Sequence, residues 1–337
     1  MTLSSGELIL RLNGKFLSYS ERNGGAYQSY LDFTHDQWFL AATPNITQMV
    51  HKTEFAFEFI SNSEGIRDVE HRVSPTDDVK RILVLGDSFV ESAGCAFQDA
   101  WFKVLERRLK AQGAEAELIS GGVGGNDVLY ALELYRQRLS KYKPEIVLVL
   151  LNNTDVIDMA CRGGKERFKP DGSTAYRGAP WFEPYYRRSH VVRFMAHMCF
   201  NRDATLLDRG AGAAREKESK RIILEVFEEL ADYAVSQSAD ILFIIHPIPA
   251  ELRDGFETYQ KPFFDELNRR ELPHVNLYPT FQARLGPHNI DDYSWPIDAH
   301  FNAKGYALMA ELIEDALTGS GLPFFHPDSG TRSQGPR

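Results

Sequence analysis

Short apolar segments recur along the chain at 82–85, 116–119, 146–151, 241–245 and 275–277, bounded by charged residues, Gly or Pro. That length and those boundaries predict buried strands. Between them lie longer stretches whose apolar positions return at roughly helical spacing: 97–112, where Phe102, Val104, Leu105 and Leu109 carry the pattern, then 126–142, 216–237, 262–270 and 303–317. Strand and helix alternate, which calls for parallel crossovers. The predicted architecture is α/β, a three-layer α/β/α sandwich around a mostly parallel sheet of about five strands.

The ends and one internal stretch depart from this alternation. Residues 1–80 read as an N-terminal extension packed on the main unit at 81–318. Within it, Leu8-Ile9-Leu10 and Phe16-Leu17 flank Asn13-Gly14, a short-hairpin signal. The run TEFAFEFIS alternates Phe55, Phe57 and Phe59 with polar or small residues, as a half-buried strand does. These strands are expected to extend or cover one edge of the main sheet. At about 160–215 an insertion rich in Gly, Pro, Arg and aromatics follows the third main strand, where long loops tend to bind ligands or form lids. Its Trp181, Phe182, Tyr185 and Tyr186 either cover an acyl or sugar group or pack the insertion on itself. Residues 319–337, polar with several Gly and Pro towards the end, read as a disordered tail.

Composition narrows the partners. The 337 residues include 43% hydrophobic side chains, enough for a real core, and 47 acidic against 38 basic residues give a net charge of −9. An acidic balance argues against nucleic acid as a partner. Cys95, Cys161 and Cys199 are widely spaced with no CxxC, so neither a disulfide framework nor a zinc site is expected. The opening MTLSSGELILRLNGK lacks a signal-peptide layout and no apolar run nears the ~20 residues of a membrane span. A cytoplasmic protein without a membrane span is the expectation.

The chemistry concentrates at the carboxyl ends of the predicted strands. Gly86-Asp87-Ser88 follows the first main strand and leads into a helix, so Ser88 either caps that helix or aims its hydroxyl into the crevice where open α/β sheets bind ligands. After the second strand, SGGVGGND offers glycine N–H groups without side-chain interference, and it lacks the spacing and the Lys of a phosphate loop. Near the C-terminus Asp298 and His300 stand two apart just before the closing helix. A paired carboxylate and imidazole is what a general base needs. His246, ending a strand before Pro247, lines the crevice or is a buried structural histidine.

The string GDSFVESAG resembles the first signature block of the SGNH/GDSL hydrolases, and DAHFNAKGY is similar to that family's last block, in its shorter Asp-x-His spacing. The segment NSEGIRDVE also resembles a stretch found upstream of the serine block in bacterial members, and is read as structural. The resemblance covers about 80–318 and implies a flavodoxin-like SGNH fold, Ser88 as nucleophile, His300 as base and Asp298 as its orienter, with Asp291 and Asp292 the weaker orienters. It implies Ser88 and Gly125 as backbone oxyanion donors, with Gly124 the fallback. The third block departs: LLNNTD puts Thr154 where the family has Asn, with Asn153 one residue early. Either Thr154 donates through its hydroxyl, Asn153 enters through a bulge, or the third donor is missing. The implied activity is ester hydrolysis on a small-molecule or carbohydrate ester, removal of acetyl groups from a carbohydrate included, with no cofactor and no metal. An O-acyltransferase using the same serine, or a non-catalytic binding module with a decayed oxyanion hole, are the other readings.

Overall fold

The computed structural model describes residues 5–25, 42–74, 79–169, 174–175, 180–202, 209–254, 261–286 and 290–320. Seven strands form among them: β1 (Thr47–His51), β2 (Ala56–Ile60), β3 (Lys80–Gly86), β4 (Ala116–Gly122), β5 (Ile146–Leu151), β6 (Asp240–Ile245) and β7 (His274–Asn276). The last five make one all-parallel sheet in the order β4-β3-β5-β6-β7. The predicted architecture holds.

Both faces of this sheet are dry, which is why its strands read as continuous apolar runs rather than alternating ones. Successive side chains point to opposite faces. Leu83, Leu85, Val147, Val149, Phe243 and Ile245 enter one core with helices Val128–Leu134, Arg209–Ser236 and Lys261–Arg269. Ile82, Val84, Ile146, Leu148, Leu242 and Ile244 enter the other, with helices Trp101–Ala111, Tyr278–Leu285 and Ala303–Gly319. Two cores on one sheet give the three layers. The helix expected over 126–142 is shorter than its pattern: after Leu134 the chain widens into a π-helical turn at Tyr135–Leu139 and tightens at Ser140–Tyr142.

Two N-terminal expectations are corrected. The predicted hairpin about Asn13-Gly14 is instead a helix, Ser5–Asn13, with Gly14 just beyond its end at φ +67°. Its apolar residues are too few for periodicity to choose between strand and helix, and docking decides. Glu7 bonds Arg11 one turn on at 2.7 Å. The same carboxylate accepts from the Ser189 hydroxyl and the N–H groups of His190 and Val191, the start of helix His190–Met198. Although burial opposes it, these hydrogen bonds hold the Glu7 carboxyl down at about 2. Second, of the two alternatives for these strands, extending the main sheet or covering its edge, the first is overturned: among the described residues β1 and β2 pair antiparallel with each other and not with the main sheet.

The segment from Asn62 to His71 locks onto the main unit. Arg67, 1% exposed, donates to the carbonyls of Glu91, Ser92 and Cys95, just past Ser88, while its guanidinium lies 4.7 Å from the Phe57 ring. Asp68 accepts from the Ser120 N–H on β4 and from His71. Of the tail expected to be disordered over 319–337, Gly319 still belongs to the closing helix and Ser320 caps it, while residues from 321 onward lie outside the described ones.

Candidate active site

The turn after β3 is built so that only glycine fits before the serine. A Cβ on Gly86 would come 2.6 Å from Val90 Cγ2 and 2.9 Å from the Leu150 carbonyl oxygen. Asp87 then caps the one-turn helix Ser88–Glu91 through a 2.9 Å bond from the Phe89 N–H. Ser88, first in that turn and half-buried, faces His300.

His300 is carried by a tightly knotted loop. The Trp295 N–H donates to the His300 carbonyl at 2.8 Å, Ala299 takes a left-handed φ of +70°, and Asn302 caps the closing helix through the N–H groups of Lys304 and Gly305. The Trp295 indole donates to the Gly94 carbonyl, tying the loop back to the serine turn. Glu54, from the turn joining β1 to β2, accepts from the N–H groups of Ile297 and Asp298 at 2.9 and 2.7 Å.

The result is one hydrogen-bonded line. Ser88 Oγ lies 2.8 Å from His300 Nε2, and His300 Nδ1 lies 2.6 Å from Asp298 Oδ1. Asp298 is 2% exposed, so its carboxylate meets the imidazole away from water. In the tautomer this geometry requires, Nδ1–H donates to Asp298 and Nε2 accepts the serine proton. The Phe89 ring packs 4.9 Å from the His300 ring and limits its swing. Such an arrangement can deprotonate a hydroxyl as it attacks. Asp291 instead pairs with Arg253 on an exposed surface.

The other named residues fall differently. The Gly124–Gly125 turn lies beside the serine, where a Cβ on Gly124 would sit 3.7 Å from Ser88 Cβ. Gly125 has φ +70°. Among the described residues neither its N–H nor that of Ser88 has a hydrogen-bond partner. The Gly124 N–H is engaged, donating to Glu91 Oε2 at 2.7 Å, and burial pushes that carboxyl up. Thr154 Oγ1 lies 2.9 Å from Asp87 Oδ2 and 2.7 Å from Asn152 Oδ1, so its single proton already has acceptors. The β5–β6 register runs unbroken from Ile146 to Leu151, so no bulge re-aims Asn153, which precedes helix Thr154–Arg162 with its Oδ1 buried.

Asn152 is the residue the sequence reading missed. Fully buried, it donates from Nδ2 to Asp87 Oδ2 at 2.9 Å and lies 3.3 Å from His246 Nε2. Its signal was the alternation along β5, which aims residue 152 to the same side as 154. His246 has no exposed surface. It sits against Phe89 with Nδ1 3.1 Å from the Pro247 carbonyl, and desolvation lowers its pKa. Trp181 and Tyr185 line an apolar cavity of about 460 Å3 with Phe182, Val192, Met195 and Phe200, and no member of the Ser88–His300–Asp298 line borders it. Residues 170–173 and 176–179 of the insertion lie outside the described ones. Among the described residues no three His, Cys, Asp or Glu side chains gather as a metal site, and no helix is long and apolar enough to cross a membrane.

No protein-family model matches the chain, and no curated protein matches it in sequence. Solved structures do. The psychrotrophic esterase EstA from Pseudoalteromonas sp. is 16% identical, with a TM-score of 0.44 over 71% of this chain and 97% of its own. The acetyl xylan esterase AlAXEase is 13% identical, with a TM-score of 0.46 over 70% and 99%. The lipase/acylhydrolase from Enterococcus faecalis is 17% identical, with a TM-score of 0.43 over 71% and 96%. At such identities and scores these likenesses carry no argument about chemistry.

Proposed function

We propose that the chain is a serine ester hydrolase of the SGNH/GDSL type, formed by residues 81–318 with residues 1–80 packed on them. The observation that carries this reading is the 2.8 Å approach of Ser88 Oγ to His300 Nε2, with Asp298 behind the imidazole. Ser88 Oγ bonds to the ester carbonyl carbon as its proton passes to His300 Nε2, and the carbonyl electron pair moves onto oxygen. The N–H groups of Ser88 and Gly125 receive that oxyanion. Collapse expels the alcohol, protonated by His300, and leaves an acyl-Ser88. Water, losing a proton to the same nitrogen, then releases the acid and restores the serine.

A decayed binding module would have no reason to keep three side chains in line, so the enzyme reading is favoured. Substrates are esters of small molecules or carbohydrates, the range of the family the signature blocks resemble. A transferase reading differs only in replacing the water by an acceptor hydroxyl. The deciding experiment is labelling with a fluorophosphonate probe and hydrolysis of p-nitrophenyl acetate, wild type beside Ser88→Ala. Labelling and turnover that both vanish in the variant support the proposal; a wild type that does neither overturns it.

A further inference from the structure

The Thr154 hydroxyl is already engaged by Asp87 and Asn152, and the next feature along the same connection is Arg162. It is the last residue of helix Thr154–Arg162 and only 3% exposed. Its guanidinium lies directly against Gly125. A Cβ built there would meet Nη2 at 2.7 Å, Cζ at 3.5 Å and Nη1 at 3.8 Å. Three atoms of one fork around one α-carbon mean that the charged group seats the glycine.

Arg167 and Asp127, both with fully buried side chains, form their own two-bond pair at 2.6 and 2.7 Å. Arg162 Nη1 meets Asp158 Oδ1 one turn back at 2.9 Å, which points one edge of the fork along its own helix. Nη2, the atom nearest Gly125, is the other edge.

We propose that Arg162 is a positioning residue of the oxyanion site: its guanidinium fixes the Gly125 peptide and supplies the positive potential into which that N–H draws the developing oxyanion. This rests on the hydrolase reading above. It gives a physical reason for a third block without its usual Asn, since a buried charge behind a backbone donor strengthens that donor without touching the substrate. It also explains the glycine, because any side chain at 125 would displace the fork.

The test compares Arg162→Gln, Arg162→Lys and the double variant D158N/R162Q with wild type, using p-nitrophenyl acetate and fluorophosphonate labelling of Ser88. The double variant avoids leaving Asp158 as an uncompensated charge, and carries the test if Arg162→Gln does not fold. Neutral replacement should lower kcat by about 10–100-fold with KM nearly unchanged, somewhat less than the loss of a direct oxyanion donor. Lys, which keeps the charge, should recover much of that loss. The pH midpoint of kcat/KM, which reports the Ser88–His300 pair, should not move. Wild-type kcat in the neutral variants overturns the proposal, as does an equal fall in Lys and Gln variants that follows their loss of thermal stability. A wild type without labelling or turnover overturns the hydrolase reading and this proposal with it, a pattern distinct from an active wild type with unaffected variants.

Discussion

Glu54 accepts the backbone N–H of Asp298 at 2.7 Å, across 244 positions of sequence. The same carboxylate oxygen takes the N–H of Ile297, and next to it the Phe55 ring packs 5.2 Å from that of Trp295. The small β1–β2 sheet thus acts as a brace for the loop that carries Asp298 and His300. Glu54→Ala should lower kcat by about tenfold or more, since a shift of the order of 1 Å in a reacting group is enough to cost 10²-fold. Glu54→Gln, which keeps an acceptor, should lose less. Steady-state kinetics beside a melting curve checks this, and a kcat that does not change removes the brace.

Replacing Asp298 by Asn preserves shape but leaves the imidazole without a carboxylate and favours the wrong tautomer. On the hydrolase reading kcat should fall by about 10³–10⁴-fold, as tautomer loss does in serine hydrolases generally, with KM little changed. Asp291→Asn should match wild type. Equal losses in the two variants would displace Asp298 as the orienter.

The strand-end polar cluster separates support from catalysis. Asn152→Leu leaves Asp87 Oδ2 and His246 short of a buried partner and should cost about 1–3 kcal/mol in urea unfolding. Thr154→Val removes one hydroxyl that shares Asp87 with Asn152 and should cost about 1 kcal/mol, with kcat within about threefold of wild type. A large kcat loss at unchanged KM in Thr154→Val would instead make its hydroxyl an oxyanion donor.

Asp155 gives stability a pH dependence of known sign. Buried, and beside the charge of Asp87, its carboxyl is raised well above the usual range. The folded chain therefore keeps a proton that the unfolded chain releases, and stability falls as pH climbs from the ordinary carboxylate range through the raised value. Asp155→Asn removes that component. Urea midpoints at about pH 5 and about pH 8 should differ less in the variant than in wild type; an unchanged difference would show that Asp155 is ionised in the folded protein.

The five main strands, their helices and both ends of the Ser88–His300–Asp298 line were legible in sequence because each rests on local chemistry. Apolar runs of strand length, Gly86 before Asp87, and Asn302 before a helix report their own conformations, and the two signature strings carry the candidate roles. Tertiary structure alone decided what depends on distant partners. Residues 5–13 are a helix because Glu7 docks on the start of helix His190–Met198, more than 180 positions away, and a short apolar pattern has no such information. Thr154 carries the same hydroxyl in either reading of the third block. Its direction is set by Asn152 two residues before it and by Asp87, which reaches it only when β3 and β5 lie side by side.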